Sequence, residues 1–260
     1  MKELSLLTYN VGMTEVSPRR KNGKRAKAIL PRVKDARPEV IVFTELFANR
    51  PKSILLDGPR HGLLRRRRGG LKDAGYQFTD RPNAFSRPRN GGITIGSRYP
   101  ILASTTHVFD NTVTRFHAKG VAYARIRKND CYYHVFATHL QHGCDTHERA
   151  ARRTQMREMG HFVRRQGIPD DEPILLAGDF NVGPGQGEKC SRLTVQHLLK
   201  TLADTGVHAR QIEPPFTDPT TKNGETLDHV FYVNRGLANS DYRTLKWHIK
   251  RGLPENVFGG

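Results

Sequence analysis

Cysteine is scarce in this sequence, with three in 260 residues, Cys131, Cys144 and Cys190. None of them belongs to a Cys-x-x-Cys pair, whereas disulfide-stapled domains and zinc ribbons need more cysteines at closer, paired spacings. The composition therefore argues against a disulfide framework and against a structural zinc site. Because the number is odd, one thiol has to stay unpaired within the chain.

Long apolar runs are missing too. A bilayer-spanning helix takes about 20 consecutive apolar residues, and no stretch of the sequence approaches that length. The N-terminus, MKELSLLTYN, enters a strand-like pattern without the apolar core of a signal peptide. The residues alone therefore predict a cytoplasmic protein, or one from which a leader has been removed.

Acidic residues are few beside basic ones. The 25 Asp and Glu residues face 43 Lys and Arg residues, which gives a formal net charge of +18. A surplus of this size favours anionic partners such as nucleic acid, an acidic membrane surface or a phosphorylated substrate. Four consecutive arginines, Arg65 to Arg68, form either a docking patch for anionic lipid or nucleic acid or a solvated loop.

No internal repeat and no long or compositionally biased linker divides the chain, so residues 1–260 are predicted to form a single domain with a substantial core. Apolar segments predict strands at 4–9, 40–43, 93–95, 120–127, 132–138, 174–177 and 226–233. Helical spacing predicts helices within 22–37, at 146–165 and at 193–202. Pro31 should kink the first helix or delay its start, and 50–89 should be long loops around one or two short helices.

The sequence ILLAGDFNVGP, Ile174 to Pro184, is the most informative stretch. A short buried strand is followed by Gly178, which allows a sharp turn, and then by Asp179 and Asn181. In an extended backbone, residues two apart share a face, so this carboxylate and this amide suit a site for a hard cation or a phosphate. An ordinary strand and turn would explain the same residues.

Other strands end in the same way and strengthen the first interpretation. Four apolar segments end at metal- or phosphate-binding residue types, namely Asn10, Glu45, His139 and the pair Asp179 and Asn181, and the last segment carries Asp228 near its start. If these strands belong to one sheet and end along a common edge, their side chains meet in one pocket. Carboxylates and amides with few nitrogens suit Mg²⁺, or Mn²⁺ or Ca²⁺, better than Zn²⁺.

The order of the motifs TYNVGM, FTELF, GGITIGSRYPI, THLQ, GDFNV and LDHVF resembles the endonuclease/exonuclease/phosphatase superfamily of metal-dependent phosphoesterases. Within that superfamily, the segment KGVAYARIRKNDCYYHVFATHLQ, Lys119 to Gln141, is most similar to bacterial neutral sphingomyelinases. The resemblance implies an α/β, DNase-like fold: a four-layered α/β sandwich of two packed, mostly antiparallel sheets flanked by helices.

The resemblance also implies residue roles. Glu45 would be the principal Mg²⁺ ligand with Asn10 beside it, whereas Asp179 and Asn181 would bind and orient the phosphate, the attacking water or both.

On the same basis His139 would stabilise the transition state. Lys119 would join His139 and Asn181 in contacting substrate, and Asp228 would orient a late catalytic histidine that acts as general base.

That histidine is absent from the expected motif. Relatives close with a Ser-Asp-His segment, whereas here Ser240 and Asp241 are followed by Tyr242. His229 should face away from Asp228 on a strand, and His248 is a doubtful substitute. Either the chain ends before the family's last strand, or the general base is missing and activity is impaired.

The resulting function hypothesis is hydrolysis of sphingomyelin, or a related choline phospholipid, at a membrane surface, with Tyr99 or Trp247 as candidates for contact with the choline cation. The resemblance implies a secreted enzyme, and a monomer is expected. Two alternatives stay open: a Mg²⁺-dependent endonuclease, favoured by the net charge, and a non-catalytic membrane- or nucleic-acid-binding protein that lost the base.

Overall fold

The computed structural model describes residues 4–13, 19–47, 49–61, 66–79, 91–113, 118–212 and 225–233. The strands in these ranges are β1 (Leu6–Met13), β2 (Val40–Leu46), β3 (Arg60–His61), β4 (Arg66–Arg67), β5 (Gln77–Phe78), β6 (Thr94–Ser97), β7 (Ile101–Val108), β8 (Gly120–Lys128), β9 (Cys131–His139), β10 (Ile174–Asp179), β11 (Ala209–Gln211) and β12 (Asp228–Val233). The helices are α1 (Arg19–Ala36), α2 (Asn49–Asp57), α3 (Thr146–Arg165), α4 (Glu188–Ser191) and α5 (Val195–Ala203). No helix in the described ranges is long and apolar enough to cross a membrane.

Two sheets carry the fold. One has four strands in the order β1-β2-β6-β5, and the other has six in the order β11-β12-β10-β9-β8-β7, while β3 and β4 pair separately. The pairs β1–β2 and β9–β10 are parallel, and the remaining pairs are antiparallel. The prediction of mostly antiparallel sheets is confirmed.

The side chains of each central strand divide between two apolar layers. On β10, Leu175 and Ala177 pack between the sheets, whereas Ile174 and Leu176 pack under the helices α3 and α5. Because both faces are covered, the strand reads as a continuous apolar run instead of an alternating one. The helix α1 covers the outer face of the four-stranded sheet through a third cluster. The predicted four-layered α/β sandwich is therefore observed.

Several predicted elements match closely. The hairpin of β8 and β9 and the helix α3 lie where the sequence placed them, and Asp145 and Glu148 form a capping box at the start of α3. The helix α1 begins at Arg19 and includes Pro31, so the predicted late start is not observed. Burial of Ile29 and Val33 against the sheet offsets the hydrogen bond that the proline cannot donate.

Other elements differ from the predictions. The strand β7 was not predicted, because it is an edge strand whose middle residues are exposed and its apolar pattern is weak. The segment 50–89 contains α2 and the short strands β3 to β5, whereas 62–65 and 80–90 lie outside the described residues. Of the arginine patch, Arg66 and Arg67 form β4 and Arg68 is exposed, whereas Arg65 lies outside the described residues.

One disulfide occurs in the described part of the chain, between Cys144 and Cys190, with 4.6 Å between their Cα atoms. It joins the segment after β9 to the helix α4. Cys131 is free, which confirms that one thiol stays unpaired.

The predicted turn at Gly178 is wrong. Gly178 lies inside β10, where it pairs with Thr138 on one side and His229 on the other. Its φ is +133°, and a Cβ atom at this position would lie 2.0 Å from the backbone oxygen of Thr138. The glycine therefore permits a close approach between two neighbouring strands.

We expect Gly178→Ala to lower the free energy of unfolding by about 3 kcal/mol or more, because it combines an unfavourable φ with overpacking against backbone. Urea denaturation measures the change. Gly23→Ala on α1 is the matched control, since its Cβ would meet only the Ile54 Cδ1 atom at 3.9 Å. That control should gain about 0.5 to 1 kcal/mol from helix propensity. Equal effects of the two substitutions would contradict the close-approach role.

Candidate active site

The predicted site residues lie together at one end of the two sheets. In the six-stranded sheet Asp179, the last residue of β10, pairs with His139 on β9 and with Asp228 on β12, so three functional groups lie in a row across three strands. Asn10 and Glu45 come from β1 and β2 of the other sheet. The expectation that a single sheet edge gathers these residues is therefore wrong, because two packed sheets contribute to one pocket.

The side chain of Asn10 joins the two sheets. Its Nδ2 donates to Glu45 Oε1 at 3.0 Å and to Asp179 Oδ2 at 2.9 Å. Its Oδ1 accepts a hydrogen bond from the Gly12 amide at 3.0 Å, which fixes the orientation of the amide group. Two carboxylates from different sheets are thus held around one amide nitrogen.

Asp179 is buried, and its electrostatic environment disfavours ionisation. Burial, together with the nearby Glu45 charge, raises the pKa of Asp179 to about 6. Hydrogen bonds from Asn10 and from the Asn181 backbone, and the charge of Lys119, act in the opposite direction and lower the pKa. A cation between Glu45 and Asp179 would relieve the repulsion between these carboxylates.

Asn181 reaches Asp179 through a turn. Its backbone N–H donates to Asp179 Oδ1 at 2.9 Å, and its φ is +53°, so the predicted extended backbone is not observed here. Its Nδ2 donates to the Leu140 carbonyl at 3.0 Å. Glu45 also has a positive φ, of +54°. Left-handed non-glycine residues concentrate at functional sites, where the surrounding structure enforces them.

His139 is the last residue of β9 and is buried. Its Nε2 lies 3.9 Å from Asp179 Oδ2. The next residue is anchored as well, because the Leu140 N–H donates to the Asp179 carbonyl at 2.9 Å. Imidazole and carboxylate therefore lie side by side in the pocket, on neighbouring strands.

Lys119 lies behind this pair. Its buried Nζ donates to the carbonyls of Leu140 at 2.8 Å and His139 at 3.3 Å. Burial lowers its pKa to about 8, against the opposing charges of Asp179 and Glu45. In the structure Lys119 therefore binds the backbone at His139 and Leu140. Its contact with substrate stays a prediction.

Sequence reasoning missed a second buried cation. Arg152 on α3 is fully buried, and its Nη1 donates to the carbonyls of Gln141 at 2.8 Å and Gly143 at 2.6 Å. Gln155, one turn further along, accepts from the Gln141 N–H at 2.8 Å. The signal was present in the sequence, since Arg152 and Gln155 fall at helical spacing with the apolar Met156 and so on the buried face.

Asp228 begins β12 and is buried, whereas the next side chain faces elsewhere. The ring of His229 meets the Val182 carbonyl at 2.6 Å and Gln211 at 3.1 Å, which confirms that it does not share a side of the strand with Asp228. The role predicted for Asp228 stays a prediction. Ser240, Asp241, Tyr242, Trp247 and His248 lie outside the described residues.

Tyr99 lies away from the pocket. Its hydroxyl donates to Glu39 Oε1 at 2.9 Å, and Lys128 Nζ lies 5.4 Å from the centroid of its ring. Glu39 precedes β2, whereas Glu45 lies near the other end of that strand. The idea that Tyr99 meets a choline group at this site is therefore wrong.

The donor set fits a hard divalent cation. No group of three or more His, Cys, Asp and Glu side chains in the described ranges is arranged to hold a metal ion. Mg²⁺ does not need such a group, because it commonly keeps several waters and binds one or two carboxylates. Glu45 supplies one carboxylate, and Asn10 can contribute its oxygen once its amide turns over from the Gly12 N–H.

Comparison with known proteins identifies bacterial relatives of this chain. Sphingomyelinase C of Bacillus cereus is 30% identical over 256 residues, which cover 92% of this chain and 73% of that protein. Two other bacterial relatives are longer than this chain, which spans 36% of one and 59% of the other.

Solved structures agree on the fold. A β-hairpin deletion mutant of beta toxin from Staphylococcus aureus superposes with a TM-score of 0.74 at 22% identity, covering 98% of this chain and 94% of that one. Another mutant of the same toxin, with bound magnesium ions, has a TM-score of 0.67 at 25% identity and covers 89% of this chain and 84% of that one. The model of the Endonuclease/Exonuclease/phosphatase family matches residues 7–248. Since that match takes in nearly the whole sequence, the chain belongs to the Endonuclease/Exonuclease/phosphatase family.

Proposed function

We propose that the protein is a Mg²⁺-dependent phosphodiesterase that hydrolyses sphingomyelin, or a related choline phospholipid, to ceramide and phosphocholine. The observation that carries the proposal is the pocket in which Asn10 joins Glu45 and Asp179, with His139 beside them. The 30% identity to a sphingomyelinase C over 92% of the chain supports the choice of substrate.

Glu45 and Asn10 are the residues we assign to the cation, which is Mg²⁺ or, with the same oxygen ligands, Mn²⁺ or Ca²⁺. When bound, the cation supplies positive charge to a phosphodiester oxygen and lowers the pKa of bound water. Glu45 is suited to this role because its carboxylate is only half-buried, and its strained backbone position is held by the Leu46 N–H donating to the Gly92 carbonyl at 2.8 Å.

Asp179 and Asn181 orient the attacking water and the phosphate. The Asn181 amide is fixed by the Leu140 carbonyl, so its position depends on the same turn that carries His139. His139 donates a hydrogen bond to the charge that develops on phosphorus oxygens, or protonates the leaving group. Asp228 is assigned to orienting a general base, and the Ser-Asp-His segment expected to supply that base is not found in this sequence.

The proposed setting is a membrane surface that a secreted, monomeric enzyme reaches from outside the cell. The net charge of +18 would assist adsorption to anionic lipids.

A Mg²⁺-dependent endonuclease is the second candidate. The same charge fits a phosphate backbone better than it fits a zwitterionic head group, and the family includes nucleases by name. A third candidate, a non-catalytic binding protein without the base, predicts metal binding without turnover.

We expect Glu45→Gln to reduce Mg²⁺-dependent release of phosphocholine from sphingomyelin vesicles by at least about 10³-fold, because about 4 kcal/mol of charge stabilisation is lost. Titration calorimetry should show weaker Mg²⁺ binding by the same variant. Glu188→Gln, an exposed carboxylate on α4, is the control and should retain full activity.

Parallel assays with plasmid DNA separate the first two candidates. Cleavage of DNA that depends on Glu45 and falls steeply with salt, without phosphocholine release, would replace the lipid substrate with nucleic acid. No turnover of either substrate by the full-length protein, with Mg²⁺ binding intact, would leave the non-catalytic candidate.

We expect Arg152→Met to lower kcat by about 10- to 10²-fold with little change in KM, because displacement of a catalytic group by about 1 Å has an effect of this size. Arg153→Met is the matched control, since Arg153 is the next residue of α3 and is exposed. Hydrogen exchange at the Gln141 amide should accelerate in Arg152→Met alone. A variant with lost stability but unchanged kcat would assign Arg152 to the core only.

A further inference from the structure

The exposed side of α3 carries a line of basic residues. Arg153, Arg157, His161 and Arg165 recur every four positions and are all exposed, so they lie along one side of the helix. We call these four residues the α3 row. Twelve residues at 1.5 Å each make the row about 18 Å long.

The acidic residues of the same helix do not neutralise the row. Glu158 binds the His107 ring at 3.3 Å and the Asp110 N–H at 2.9 Å, on the side of the helix that faces the sheet edge. Glu148 accepts from the Asp145 N–H at 2.9 Å in the capping box. Among the residues that the structure describes, Arg153 and Arg157 form no ion pair.

Helix stability does not explain the row. Like charges four residues apart destabilise a helix by a few tenths of a kcal/mol per pair. The helix dipole favours cations in the last turn, which accounts for Arg165 but not for Arg153 and Arg157 in the middle. An uncompensated line of charge on an otherwise well-capped helix therefore calls for an external anion.

The row differs from a membrane-binding surface in two ways. Interfacial helices place large apolar side chains beside their basic residues, whereas the residues exposed on α3 from Arg153 to Arg165 are all basic. In addition, α3 connects the parallel strands β9 and β10 and so runs along the outside of the sheet. A membrane lying flat on the row would leave the pocket, at the ends of these strands, facing sideways.

We propose that the α3 row binds the phosphate backbone of nucleic acid, along the side of the molecule and outside the catalytic pocket. A length of 18 Å corresponds to about five base pairs of duplex DNA at 3.4 Å each. The contact is one of charge with phosphate and carries no base specificity. It does not depend on which ester the pocket hydrolyses.

The test compares two triple variants with equal charge. Arg153→Glu/Arg157→Glu/Arg165→Glu alters the row, and Lys21→Glu/Lys24→Glu/Lys27→Glu alters exposed lysines of α1. Each substitution changes the charge by −2, so both proteins fall from +18 to +12. Fluorescence anisotropy with a 20-base-pair duplex, in EDTA and over a range of salt, gives affinity and salt dependence.

Each phosphate contact contributes about 0.9 to the slope of log K against log salt, so the row variant should lose about 2.7 of that slope. Its affinity at 100 mM salt should fall at least about tenfold, whereas the α1 variant keeps most of its slope. The Gln triple variant of the row should fall in the same direction, which guards against a folding defect of the Glu variant.

Equal losses in the two Glu variants would overturn the proposal, because they would indicate diffuse charge. So would loss of binding to phosphatidylglycerol vesicles with DNA affinity unchanged, which would identify a membrane surface. Phosphocholine release should be unaffected in the row variant. If the wild-type protein releases no phosphocholine, that result contradicts the proposed function and leaves the α3 row proposal unchanged.

Discussion

The site depends on one hydrogen-bonded group, the Asn10 side chain. Its amide nitrogen donates to a carboxylate of each sheet, at 3.0 and 2.9 Å. Burial raises the pKa of Asp179 to about 6, and the charge of the half-buried Glu45 acts in the same direction. Removing the amide would leave Glu45 and Asp179 without the donor that they share. The hydrogen bonds of Asn10 therefore link the relative position of the two sheets at this end to the spacing of the two carboxylates.

Two buried cationic side chains, Lys119 and Arg152, lie near these carboxylates. Lys119 lies just before β8 and Arg152 on α3, and both donate to backbone carbonyls of the segment from His139 to Gly143. Burial lowers the pKa of Lys119 to about 8 and that of Arg152 to about 10. Two cations with depressed pKa values are stable inside a protein only where carbonyls and nearby carboxylates stabilise the charge. This arrangement fixes that segment more firmly than either group alone.

Much of the fold and the site composition was predictable from the sequence, because strands buried on both faces give continuous apolar runs that end in polar residues. The strand of Asp179 and the hairpin before His139 are examples. The geometry was less predictable. Both sheets contribute to the site because Asn10 contacts Glu45 and Asp179, which lie 35 and 169 residues further along the chain. The left-handed conformation of Asn181 and the edge strand β7 leave no periodic signal. Arg152 was missed because a charged residue in a basic sequence is usually read as exposed.

The register of the six-stranded sheet converts this composition into a site. Pairing places Asp179 beside both His139 and Asp228, and a slip of one residue would turn one of these side chains to the opposite face. Gly178 helps to specify that register, since Thr138 approaches so closely that only glycine fits opposite it. Slipping the strand would place Ala177 or Asp179 against the same carbonyl, and each carries a Cβ atom. The close approach of Gly178 to Thr138 therefore helps to fix the relative positions of Asp179, His139 and Asp228.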